Sequence, residues 1–197
     1  MKIYIIRHGE TDYNKAKIFQ GQIDSKLTEE GERQARDLAE KLKSCGITKI
    51  YCSTLSRAKN TAAIIAKILG LEVIASPSLT EQSLGIWEGK NKQQVIKDLK
   101  EKYGSLMEKK EIIPPNGEGF EQVEERAIPF IEKVIKEKQG NILIVGHALI
   151  NRVIIGHYLG IDYFNRYKIF QKNCHLNILN VSKEGSIKVE ALNTPSP

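Results

Sequence analysis

Two short apolar runs constrain the fold of this chain more than any other feature. Residues 3–6 read IYII and residues 142–145 read ILIV; the first run stops in Arg7 and His8, the second in Gly146 and His147. Four apolar residues without polar alternation mark a strand covered on both faces, as in a parallel sheet held between helices. Strands are accordingly expected at residues 2–6, 49–53, 71–76 and 141–147, and helices at 28–43, 57–69, 120–138 and 149–159. Thr28 is placed to cap the first helix, whose Ala35, Leu38, Ala39 and Leu42 share a face, and Gly70 to stop the second. Pro129 inside the third predicts a kink or a late start. Residues 91–104 read as a surface helix ended by Gly104, residues 112–119 as a loop, and residues 174–181 and 186–192 as paired strands joined at Glu184-Gly185, with fraying after Asn193.

Successive strand-then-helix units predict an α/β fold: a three-layer α/β/α sandwich whose mostly parallel sheet takes an antiparallel edge strand from the tail. A chain of 197 residues suits one domain over residues 1–197, with a small lid at about 88–119. The net charge of +6 favours anionic partners, but the lysines are spread along the chain rather than gathered. A solvated basic surface, with no nucleic acid partner, is the expectation. Three cysteines, Cys45, Cys52 and Cys174, lack metal-type spacing and read as reduced thiols, Cys52 packed within a strand. The first apolar run is too short for a signal peptide, and no segment approaches the ~20 apolar residues of a membrane span, so a soluble cytoplasmic protein is expected.

Ligands of open α/β sheets sit beyond the carboxyl ends of the strands. There the first strand delivers Arg7 and His8, the second is followed by Arg57, the third by Glu81, and the ILIV strand by His147. Two guanidiniums suit a phosphoryl group, which they grip bidentately without losing charge. A neutral imidazole whose other nitrogen donates to a fixed acceptor is a competent nucleophile, and Gly9 lets its own carbonyl approach His8. His147, expected to be protonated by proximity to the phosphate, stabilises charge on the transferring group, and Glu81 passes protons to the leaving oxygen and from the attacking water. No Asp-rich cluster follows the strand ends, so neither metal nor cofactor is expected. His157 and His175 read as packing residues.

The stretches RHGETDYN, FQGQIDSKLTEEGERQA, STLSRAKNTA, LTEQSLGIWEG and VGHALINR resemble the histidine phosphatase superfamily, the phosphoglycerate-mutase-like proteins, over roughly residues 1–160. The resemblance implies a phosphohistidine at His8 and assigns Arg7, Arg57, His147 and Glu81 the phosphate-pocket and proton-donor roles. It also places Asn14, Gln20 and Gly21 beside the phosphate. Ala148 stands where many relatives have glycine, which trims the pocket. Glu81 is followed by Gln82, Ser83, Leu84 and Gly85 instead of the Arg-His-Tyr-Gly of cofactor-dependent mutases, and the lid is short. Both departures favour a metal-independent phosphatase acting on a small soluble phosphate monoester through a phosphohistidine, with a 2,3-bisphosphoglycerate-dependent phosphoglycerate mutase as the alternative. The partner implied is a small-molecule phosphate ester; homodimers are common among proteins of this kind.

Overall fold

The computed structural model describes residues 1–105, 110–137 and 140–195. Six strands, β1 (Lys2–Arg7), β2 (Ile47–Ser53), β3 (Val73–Ser76), β4 (Asn141–Gly146), β5 (Leu176–Val181) and β6 (Ile187–Thr194), form one sheet in the order β3-β2-β4-β1-β5-β6. The four strands on the β3 side are mutually parallel. The tail adds two more: β5 runs antiparallel to β1, and β6 pairs with β5 as the outer edge. β6 continues to Thr194, past the point where fraying was expected.

The apolar runs behave as their lack of alternation requires. Ile3, Ile5, Ile142 and Ile144 face one layer, where they meet α5 (Phe120–Lys136) and α6 (Ala148–Tyr158). Tyr4, Ile6, Leu143 and Val145 face the other, against α2 (Glu29–Leu42) and α3 (Ser56–Leu69). Both faces of β1 and β4 are therefore dry, and burial of both apolar sets is the main force holding the three layers together. Thr28 caps α2 through a 3.0 Å bond from Gly31 N, and Gly70 ends α3 with φ +67°. Cys52 is buried in β2.

Pro129 neither delays nor divides α5, which runs through it from Phe120. Proline removes one N–H and frees the carbonyl four residues earlier; Pro129 and Glu125 are both exposed, so water can satisfy that carbonyl. Among the described α-helices, α1 (Asp12–Lys15) has no counterpart in the sequence reading: it is a single turn closed by a capping box between Thr11 and Asn14. Of the expected lid, α4 (Lys92–Tyr103) leans on the loop after α1, with Lys92 N donating to Lys17 O at 2.8 Å and Phe19 N to Lys90 O at 2.9 Å. Residues 106–109 of that lid, and the end of the helix expected over 120–138, lie outside the described residues. Among the described residues no helix is long and apolar enough to cross a membrane.

Candidate active site

Because β1, β2, β3 and β4 run in parallel, their carboxyl ends share one edge of the sheet. Arg7 and His8 leave β1 there, and His147 leaves β4 beside them, which sets the two imidazole centroids 5.2 Å apart. Arg57 enters from the first turn of α3, and Glu81 from the segment following β3. Arg7, His8, Gln20, Gly21, Arg57, Glu81 and Ala148 line a cavity of about 770 Å³. His147 is almost fully buried alongside. Asn14 is not brought to the cavity; its Oδ1 accepts from Thr11 N in the α1 cap and from Asn173 Nδ2, which in turn binds His8 O at 2.8 Å.

The hydrogen bonds decide the tautomers. His8 Nδ1 lies 2.7 Å from Gly9 O. A carbonyl only accepts, so Nδ1 carries the ring proton and Nε2 keeps its lone pair. His147 is set the other way. Arg57 Nε donates to His147 Nδ1 at 3.2 Å, so the proton of the neutral ring sits on Nε2, a buried donor without a partner among the described residues. Burial, then Arg7 and Arg57, push His8 well below the ordinary histidine value; burial, then Arg57 and His8, do the same to His147. The ring is thus placed as a neutral Nε2–H donor, because a second proton would confront the Arg57 Nε–H; the protonation expected from the sequence was tied to the proximity of the phosphate.

Arg57 is also a structural clamp. It donates to Ile23 O at 2.8 Å and Gly21 O at 2.6 Å, wrapping the loop that bears Gln20 around the site. Three of its five N–H bonds are so engaged, and two remain for a ligand. Gly21 sits at φ +51°, where a Cβ would strike the Glu88 carboxylate. Gln20 is pinned by Ser25 Oγ at 2.6 Å and by Thr11 Oγ1 at 3.2 Å. Arg7 donates to Gln171 O at 3.0 Å while its Nε stays buried and, among the described residues, unpartnered. Burial pushes Arg7 down to about 10, so it remains charged at neutral pH. Glu81 is held at the start of α6: Oε1 accepts from Gln82 N and Ile150 N, both at 3.0 Å, and Oε2 from Leu149 N at 3.1 Å. Oε2, with one donor only among the described residues, is the less engaged of the two oxygens.

Gly9 is required for a reason the sequence does not show. A Cβ there would lie 2.4 Å from the backbone oxygen of Gly31, and one on Gly31 would lie 2.1 Å from Glu10 O. The loop after β1 rests backbone to backbone on α2. Gly9→Ala is therefore expected to cost about 1–3 kcal/mol of stability and to lower Tm by roughly 3–10 °C, because no flexible side chain can yield. Thermal unfolding checks it; a Tm within a degree or so of wild type would show that the loop moves freely off α2.

Four further cations line the cavity, Lys41, Lys92, Arg152 and Lys172, and none is among the residues expected from the sequence. Lys92 falls in a segment that reads as a surface helix. Arg152 was legible in principle, since Ala148, Leu149 and Arg152 stand at i, i+1 and i+4 of one helix and share a face. Of the histidines expected as packing residues, His157 pairs with Glu124 Oε1 at 2.9 Å, whereas His175 lies on the flank of the cavity.

Two neutral imidazoles of opposite tautomer, an orphaned guanidinium N–H and a fixed carboxylate define an anion pocket on an α/β sheet, of the class that handles phosphate esters. A model of the histidine phosphatase superfamily (branch 1) matches residues 3–195, and the chain belongs to that superfamily. The "Probable phosphoglycerate mutase GpmB" of Photorhabdus laumondii is 34% identical over 185 residues, covering 90% of this chain and 83% of that protein. A solved mycobacterial glucosyl-3-phosphoglycerate phosphatase, complexed with VO3, matches with TM-score 0.87 at 26% identity over 98% of both chains. The alpha-ribazole phosphatase of Shigella flexneri matches with TM-score 0.85 at 26% identity, covering 100% of this chain and 98% of that one. Family and structural neighbours together make this chain an enzyme of the phosphatase kind.

Proposed function

We propose that the protein is a metal-independent phosphomonoesterase that hydrolyses a small phosphate ester through a phosphohistidine at His8. The observation that carries this reading is the 2.7 Å contact between His8 Nδ1 and Gly9 O, which leaves the Nε2 lone pair at the cavity among cationic groups. Arg7 and Arg57 hold the phosphoryl oxygens, joined by His147 through its Nε2–H. His8 Nε2 attacks phosphorus, the bond from phosphorus to the ester oxygen breaks, and Glu81 delivers its proton from Oε2 to that oxygen. Glu81, now a carboxylate, takes a proton from water as the water oxygen bonds to phosphorus. The P–N bond breaks, inorganic phosphate leaves, and His8 and protonated Glu81 are restored. Charge on the transferring group is met by fixed donors, so no ion is needed to balance it. Gln20, Gly21 and Ala148 shape the wall, and Asn14 acts indirectly through Asn173.

Phosphoglycerate mutase is the second reading, favoured by the name of the Photorhabdus relative. Against it, the residues after Glu81 are already occupied: Gln82 Nε2 donates to Glu118 O at 2.5 Å and Ser83 N to Glu118 Oε2 at 2.7 Å. One experiment separates the two. In excess EDTA, a panel of phosphate esters should release inorganic phosphate at the rate seen without chelator. 3-Phosphoglycerate primed with 2,3-bisphosphoglycerate should yield phosphate rather than 2-phosphoglycerate. Rapid isomerisation would establish the mutase, and inhibition by EDTA reversed by magnesium would require a metal-assisted scheme.

A further inference from the structure

The segment that carries Glu81 has no strand or helix beyond a short 3-10 turn at Pro77–Leu79. Carbonyls outside such elements need donors from elsewhere, and one side chain supplies most of them. Arg126, on α5, donates through Nη1 to Ser78 O at 3.2 Å and Thr80 O at 2.7 Å, and through Nη2 to Glu81 O at 3.2 Å. Its Nε reaches Glu118 Oε1 at 3.3 Å, and Nη2 also reaches Glu118 Oε2 at 3.2 Å. A guanidinium offers five N–H groups, and these five contacts take them all. Unlike Arg57, Arg126 keeps none for a ligand. Glu118 grips the other flank of Glu81: its Oε2 accepts from Ser83 N at 2.7 Å, its carbonyl from Gln82 Nε2 at 2.5 Å, and its own N–H donates to Ser83 O at 2.9 Å.

We infer that Arg126, locked by Glu118, is the positioning residue that sets Glu81 for proton transfer. This rests on the phosphatase reading above, in which Glu81 carries the proton, and deepens it. Two elements far apart in sequence aim the carboxyl group. Gln82 N donates to Oε1 from the acid segment itself, whereas Ile150 N and Leu149 N donate from the first turn of α6. If the segment slides, Gln82 N goes with it, and the carboxyl loses its angle to the leaving oxygen; small misplacements of a reacting group cost rate steeply. Gln22 Nε2 also reaches Glu81 O, at 3.1 Å, but among the described residues Ser78 O and Thr80 O have Arg126 alone. A planar fork that cannot lose its charge fixes three carbonyl directions at once. Arg126 and Glu118 are each 23% exposed, so water is a poor substitute for either.

The leaving group separates lost positioning from lost fold. Phosphoenzyme formation is followed by rapid quench with p-nitrophenyl phosphate, whose leaving group needs little protonation, and with the alkyl phosphate that wild type cleaves fastest, whose alkoxide needs a full proton. In Arg126→Met the rate with the alkyl ester should fall at least ~30-fold, and that with p-nitrophenyl phosphate by no more than about threefold. Arg126→Lys should recover little of the difference, because one ammonium cannot span Ser78 O, Thr80 O and Glu81 O. Glu118→Gln, which decides the matter should Arg126→Met not fold, should show the same bias at about fivefold or more. Equal losses with both esters, as a smaller folded fraction gives, or near-complete rescue by lysine would overturn the proposal. Wild-type protein that forms no phosphoenzyme with either ester counts against the phosphatase reading alone. Hydrogen exchange then decides the role of Arg126. In Arg126→Met, exchange at the amides of Gln82 and Ile150 should speed at least ~10-fold more than at those of β4, and parallel changes would overturn the positioning role.

Discussion

Replacing His8 by alanine should lower turnover of every substrate by at least ~10⁴-fold and eliminate acid-labile phosphate on the protein, because the mechanism then lacks its only nucleophile. The fold should survive. His8 is buried, yet its ring hydrogen bond is to the carbonyl of the adjacent residue, so its loss strands no distant group. Rapid quenching with labelled ester, followed by mass spectrometry, should locate the phosphoryl group on His8 in wild type and nowhere in the variant. The informative contrast is with Glu81→Gln, which keeps the nucleophile but loses the proton carrier. With an activated ester such as p-nitrophenyl phosphate, whose leaving group needs little protonation, that variant should still form the phosphoenzyme and then stall. A His8→Ala protein with substantial residual turnover would mean that water attacks phosphorus directly.

Arg57→Lys should be the next most damaging change, and in two separable ways. Lysine keeps the charge but cannot reproduce the fork that reaches Gly21 O, Ile23 O and His147 Nδ1 together. Buried acceptors left unpaired should cost about 1–3 kcal/mol, read as a lowered denaturant midpoint. Turnover should fall by roughly 10²–10³-fold, as expected when a preorganised donor to a developing charge is lost and His147 is released from its tautomer. Loss of stability with near-normal kcat would assign Arg57 to the scaffold alone.

These two residues also show what could be read in advance. The proposed nucleophile could be located in advance because an apolar run that ends in Arg-His puts both side chains at a strand end, where α/β sheets bind ligands. The order of strands and helices was legible because burial on both faces erases alternation in the strands while helices keep a 3.6-residue pattern. Arg57 was placed correctly, but its grip on the 21–23 loop was not foreseeable, since carbonyl acceptors carry no side-chain signature. Lys92 was hidden for a related reason: a lysine in the first turn of a polar helix looks like any solvated one until the helix is docked. Asn14 shows the reverse, a motif position that the fold uses to cap a turn and steady Asn173.

What the sequence settled by itself was the layering of the molecule and the edge of the sheet at which chemistry gathers, because hydrophobic periodicity and strand ends are local properties of the chain. What only the tertiary structure decided was the protonation of the two imidazoles, the reason Gly9 must be glycine, and the approach of Lys92 and Arg152 to the same cavity. Each of these depends on atoms far apart in sequence. Hydrogen-bond direction, backbone clearance and the desolvation of charge arise only when those atoms are brought within a few ångströms of one another.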